Sequence, residues 1–196
     1  MRGISGKILL AGFILAASAS AALAQEARQT YTGTIVSYGT GRNIRTTTNT
    51  FTLIVNGTTS NAEVDRLVGR LQEGGQDDLQ KAINDFDLGS FAVGGRVGRR
   101  LNVVRVEQVG DRTRIRALFE RWIQFGEIRG GYRSIDYPFS YLEIFIDPRT
   151  GKGDGTLIEA AQIRWRRDRD SNQYAVEIEN FATYPARLMG VTRRGR

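Results

Sequence analysis

The stretch 137–181, YPFSYLEIFIDPRTGKGDGTLIEAAQIRWRRDRDSNQYAVEIENF, decides the fold. It contains three apolar-patterned runs. Asp147-Pro148 with Gly151, Gly153 and Gly155 split the first pair, and residues 167–172 split the second. Turn formers between runs of period two predict a three-strand antiparallel meander. Leu142, Ile144 and Ile146 then share one face, with Tyr141, Glu143 and Phe145 on the other. Leu157, Ala161, Ile163 and Trp165 are expected to share a face of the second strand. Arg164 and Arg166 are expected opposite Glu177 and Glu179, a ladder worth about a few tenths of a kcal/mol per pair.

The chain on either side extends this sheet. Beyond Pro185, residues 188–192 read as a last edge strand before a basic tail. Upstream, 101–109 and 112–119 form a hairpin around Gly110-Asp111, a two-residue loop that sets the register. Val109 faces Arg112, Glu107 faces Arg114, Val106 faces Ile115, Arg105 faces Arg116, and Val104 faces Ala117. One face (Val104, Val106, Ile115, Ala117, Phe119) is core. The other carries Arg105, Arg112, Arg114 and Arg116 with Glu107, and is the candidate anion-binding face. Arg105 directly opposite Arg116 is costly unless an anion or a loop sits over the pair. Residues 121–137 read as an irregular aromatic segment that covers the end of the core or lines a pocket.

Nearer the N-terminus, 31–38 and 51–55 read as strands. Between them and the hairpin the period changes. Val64, Leu67, Val68 and Leu71 recur at helical spacing, Ser60 and Glu63 form a capping-box pattern, and Gly74-Gly75 ends the run. Leu79, Ile83 and Phe86 mark a second helix, with Asp77 and Asp78 in its first turn. The two make a helical hairpin over about 60–86. The Gly94–Gly98 run lacks the Gly-Lys-Ser/Thr ending of a phosphate loop and leads into a strand. The expected fold is α+β: a mainly antiparallel sheet of about seven to nine strands, a sandwich or partly closed barrel, with the helical hairpin inserted.

Residues 1–24 are read as a secretory signal peptide. Arg2 and Lys7 precede an apolar run at 8–22, and Ala22-Leu23-Ala24 fits the cleavage rule. The run is short of the ~20 residues of a membrane span, and no stable span is expected after cleavage. Residues 25–196 are read as one domain. Its location is expected to be periplasmic or secreted. With 40% apolar and 25% charged residues the chain is globular rather than disordered. Net charge is +7, falling to +5 without Arg2 and Lys7. Arginine outnumbers lysine 25 to 3, scattered along the chain, a pattern that codon composition explains better than a polyanion-binding design.

The chain has no histidine and no cysteine. This excludes Ser-His-Asp and Cys-His catalysis, histidine-built zinc and heme sites, and thiolate chemistry. Neither a metal nor a cofactor is expected. Asp136, Glu143, Asp147 and Glu159 are the candidate carboxylates for glycoside hydrolysis, though no spacing singles out a pair. Residues 147–154 lack the alternating ligands of a calcium loop, since Arg149 and Gly151 occupy those positions.

Several blocks resemble, as a set, a group of exported bacterial proteins of the acidobacterial type. They are Thr32-Gly33-Thr34-Ile35, the run 71–79, Tyr137-Pro138-Phe139, the run 151–155, and Ile178-Glu179-Asn180-Phe181 before 185–188. The resemblance implies export, and no catalytic or binding residues come with the family to be carried over. The sequence thus points to a non-enzymatic periplasmic or secreted binding or scaffold protein. The alternative is a carboxylate-dependent hydrolase of envelope or environmental polysaccharide. The partner lies between an envelope polyanion and a protein, and no nucleic acid is expected.

Overall fold

A computed structural model of the chain describes residues 28–38, 45–123, 125–167, 174–182 and 184–194. The proposed signal peptide, 1–24, lies outside them. The strands are β1 (Gln29–Ser37), β2 (Thr47–Val55), β3 (Gly89–Val93), β4 (Arg99–Arg100), β5 (Val103–Val109), β6 (Arg112–Glu120), β7 (Phe139–Ile146), β8 (Lys152–Arg167), β9 (Tyr174–Asn180) and β10 (Ala186–Arg194). The helices are α1 (Asn61–Ile83) and α2 (Phe125–Gly130), with a 3-10 turn at Arg133–Asp136. No helix among the described residues is long and apolar enough to cross a membrane.

The strands form one antiparallel sheet in the order β4-β3-β2-β1-β10-β8-β7-β6-β5, with β9 also on β8. The sheet curls into a half-barrel, so the α+β class holds and the barrel alternative is the one adopted. Its terminal strands β4 and β5 are successive pieces of one chain, joined by Leu101-Asn102. Leu101 donates its N–H to Gly89 O (2.9 Å) and accepts from Leu88 N, on the β3 side. Asn102 N donates to Leu118 O (3.1 Å), on the β6 side. The backbone changes partners there, which brings the two ends of the sheet together.

Asn102 is buried, so its amide must be satisfied inside the protein. Its Nδ2 donates to Ile83 O (3.0 Å), the last residue of α1, and to Phe86 O (3.2 Å) just past it. Its Oδ1 accepts from Glu120 N (3.1 Å). One side chain therefore ties the end of α1 to the seam. Thr59 does the same at the start of the helix. Its N–H donates to Val104 O (2.7 Å) and its Oγ1 accepts from Val104 N (3.0 Å), which occupies part of the edge of β5.

Two cores lie on opposite faces of the sheet. Phe51, Leu53, Phe91, Leu101, Val104, Ile115, Leu142, Ile144 and Leu188 fill the concave side. On the convex side, Leu67, Leu71, Leu79 and Ile83 of α1 pack against Phe139, Ala161 and Ile163. The insertion is the expected helical hairpin, two helical arms with Gly75 (φ 71°, ψ −159°) between them in a positive-φ conformation that glycine adopts without a Cβ clash. Ser60 caps it, accepting from Glu63 N at 3.2 Å. Glu63 itself turns to Arg66 (2.5 Å). The break turns Gln76 toward β8. Its Oε1 accepts from Ile163 N (3.0 Å), just past the last β7–β8 pair Phe139↔Ala161.

The β5–β6 register is the one expected from the Gly110-Asp111 loop, pair for pair. The β7–β8–β9 meander is present, and its ion pairs run diagonally: Arg164 to Glu179 (3.2 Å) and Arg166 to Glu177 (3.1 Å). Two expectations need correction. Residues 188–192 do not form an edge strand, because β10 lies between β1 and β8. Ala161 pairs Phe139 on one edge and Asn180 on the other, while Leu157 pairs Leu142 and Ala186. β9 and β10 thus follow one another along the same edge of β8. Second, Leu157 does not share a face with Ala161 and Ile163. A bulge sets Phe139↔Ala161 against Tyr141↔Ile158, one residue more on β8 than on β7. That extra residue reverses the alternation, so Leu157 faces the concave core and Ala161 the helix.

β8 also passes close to β7. A Cβ on Gly155 would sit 2.2 Å from Glu143 O, so only glycine fits without moving backbone. Gly155→Ala is therefore expected to destabilise by about 1–3 kcal/mol, read as a lower urea midpoint. Asn102→Ala is expected to cost at least about 1–3 kcal/mol, since it strands two carbonyls and one N–H in the interior. Asn102→Asp should lose no less at neutral pH, because a carboxylate cannot donate to the Ile83 and Phe86 carbonyls; the same urea titration ranks the variants.

Candidate functional site

The convex face of the sheet changes character along its strands. At one end Val103, Leu118, Tyr141 and Ile158 are apolar and pack with α1. At the other end Glu107, Arg112, Arg114, Glu143 and Asp154 form a charged surface. Arg105 and Arg116 stand at the boundary, paired directly across β5 and β6. The four expected arginines thus divide: two border the apolar region and two lie in the charged one.

A cleft of about 370 Å³ opens at this boundary, between α1 and the sheet. The first half of α1 contributes Val64, Leu67, Val68 and Leu71. The sheet contributes Val103, Ala117, Leu118 and Ile163, and β9 supplies Val176 and Ile178. Leu67 and Leu71 are buried, but Val64 and Val68 on the same stripe are only half-buried, and Val176 is 43% exposed. The insertion seats most closely at Ile83, while Leu79 of its second arm joins Leu67 and Leu71 in lining the space. Arg105, Arg116 and Tyr141 supply the polar part of the lining.

The opposed pair Arg105–Arg116 is accommodated from both sides. Arg105 Nη1 donates to Thr59 O (2.8 Å) and Nη2 to Asn61 Oδ1 (2.7 Å), so the loop entering α1 sits over it. Arg116 hydrogen-bonds Glu107, which also accepts from Arg114 at 2.9 Å. Arg114 reaches Glu143 at 3.6 Å, and Arg112 reaches Asp154 at 3.6 Å. The hydrogen bond from Arg114, with that from Arg116, holds Glu107 below the usual glutamate range. Burial, with the nearby Glu143 carboxylate, pushes the Tyr141 phenol up, so it stays a neutral hydroxyl at physiological pH.

The four carboxylates singled out from sequence do not converge. Glu143 faces Arg114. Asp147 accepts from Arg149 N (2.8 Å) and closes the β7–β8 turn. The main-chain carbonyl of Asp136 accepts from Gln76. Glu159 accepts from Ser37 Oγ (2.9 Å). Of the four, Glu159 alone lines a second cleft, of about 220 Å³, which opens beside Phe91, Phe119 and Leu157 of the concave core. Trp122 lies at that cleft with the Arg99 guanidinium 5.3 Å from its ring. The segment after Trp122 folds around Arg121, which bonds Glu127 (2.9 Å) and the carbonyls of Ser134 and Tyr137.

The chain matches no family model, no curated protein and no solved structure. Local geometry alone therefore bears on function. Sequence reasoning found Arg105 and Arg116 through the hairpin register. It did not find Thr59, Asn61 or Tyr141, which come to the cleft only when α1 folds back over β5–β7.

Glu107 has a folded-state pKa below its unfolded value of about 4.3. Its contribution to stability is present above that unfolded value and is lost as pH falls through the folded one. Glu107→Gln should accordingly lower the melting temperature at neutral pH, and the gap to the unaltered protein should close below about pH 4. Thermal melts across that range check it.

Proposed function

We propose that this chain is an exported, non-enzymatic binding protein that takes an apolar ligand in the cleft beneath α1. The observation that carries the reading is the cleft itself. A helix docked on a sheet normally closes its apolar face to native packing density. Here valines on the docking stripe of α1 and Val176 and Ile178 on β9 stay short of full burial around about 370 Å³ of space. That volume falls in the range of small-ligand sites, which are mostly apolar with a few placed polar groups. Export is supported by the sequence features of residues 1–24 and places the ligand at the envelope or outside it.

Binding is tested with Nile red, a neutral dye that brightens in apolar surroundings, added to the purified 25–196 chain. The expected result is saturable enhancement. Val68→Trp, which puts an indole into the cleft, should reduce the enhancement at least about tenfold in affinity while far-UV circular dichroism is unchanged. Absence of saturable binding, or equal binding by Val68→Trp, would overturn the reading. Native mass spectrometry of the chain purified from its own host's envelope should further show a mature species beginning at Gln25.

A further inference from the structure

We infer that the ligand of the cleft is an amphipathic anion: an apolar body beneath α1 and a single acidic head at Arg105 and Arg116. This rests on the cleft being the binding site and adds the chemistry of what it holds. Three observations carry it. The charged layer beside the cleft carries more guanidiniums than carboxylates. Arg105, Arg112, Arg114 and Arg116 meet Glu107, Glu143 and Asp154. The excess falls at the cleft, because both contacts of Arg105 given above are to neutral oxygens. They orient the guanidinium without cancelling its charge.

The donors are also in excess. Glu107 is shared between Arg114 and Arg116, and the Nε atoms of both arginines are buried without an acceptor. With one carboxylate serving two guanidiniums, the layer offers more donors than it has acceptors. Finally, the polarity of the cleft is one-sided. Arg105, Arg116 and Tyr141 belong to adjacent strands, while the lining from α1 and β9 is apolar. A neutral hydrocarbon would leave the guanidiniums facing it, and a compact inorganic anion would leave the valines and leucines unfilled. A carboxylate, sulfonate or phosphate monoester on an apolar chain matches both ends, with charge-assisted hydrogen bonds from arginine. Tyr141, kept neutral, has a hydroxyl that can donate to the same head.

Displacement of Nile red by dodecanoate, dodecanol and dodecyltrimethylammonium, each below its micelle concentration, tests the head group with the body held constant. Dodecanoate should displace the dye at about tenfold lower concentration than dodecanol, with the cation weakest. Arg105→Gln and Arg116→Gln should each remove most of that advantage and leave dodecanol unchanged. Arg105→Lys, which keeps the charge should the glutamine variant fail to fold, should retain part of it. Glu107→Gln, which removes the competing carboxylate, should strengthen dodecanoate and not dodecanol, a gain that loss of structure cannot produce. Equal displacement by dodecanoate and dodecanol, with Nile red bound, would overturn the anionic head and leave the cleft as an apolar site. Titration calorimetry with dodecanoate covers the remaining case: neither dye binding nor heat would overturn cleft and head group together.

Discussion

The side chain of Asn102 holds together what would otherwise be a curled sheet with loose ends. At the seam the chain leaves β3 and joins β6, so main-chain groups there have irregular partners. A buried amide offers two donors and an acceptor at once. Asn102 spends the donors on the carbonyls of Ile83 and Phe86 and the acceptor on Glu120 N. The closure of the half-barrel and the position of the end of α1 are thereby one event. Thr59 repeats the logic at the other end of the helix by pairing with Val104. The two anchors lie two residues apart at the start of β5, so together they fix the open end of the helical hairpin.

The cleft follows from that constraint. A helical hairpin tied by its two feet to the start of β5, with its turn at Gly75, does not meet a curved sheet equally with both arms. It seats where Leu79 and Ile83 reach Phe139, Ala161 and Ile163, and diverges where Val64 and Val68 stand over β5 and β6. Gln76 reinforces this seating by filling a ladder position of β8 that β7 is too short to reach. The space is a product of the fold's geometry as much as of the residues that line it.

The same placement makes the charges consequential. On an isolated hairpin Arg105 and Arg116 would be ordinary solvated cations, with pair energies of at most about 1 kcal/mol. Beside an apolar cleft, screening by water is weaker and an anion held there would feel them more strongly. Loop and acid together accommodate the opposed pair: Thr59 and Asn61 take Arg105, and Glu107 takes Arg116. The two guanidiniums differ because one is held by neutral oxygens and the other by a shared carboxylate.

Local pattern determined a good deal of this protein. Alternation along β7, the two-residue loop at Gly110-Asp111, the Ser60 cap and the glycines at 74–75 specified strands, register and helix start, because each depends on residues a few positions apart. The absence of histidine and cysteine excluded whole chemistries without any structure. Tertiary structure decided the rest. β10 reads locally as an edge strand, yet it pairs with β1 from the opposite end of the chain, and nothing within 186–194 encodes that partner. The β8 bulge sent Leu157 and Ala161 to different cores because the extra residue is defined only against β7. Asn102 sits unremarked between Leu101 and Val103 in the sequence and gains its role from three groups distant along the chain. The cleft exists only where the helical insertion, four neighbouring strands and β9 meet, and no spacing in a linear sequence describes a space between elements.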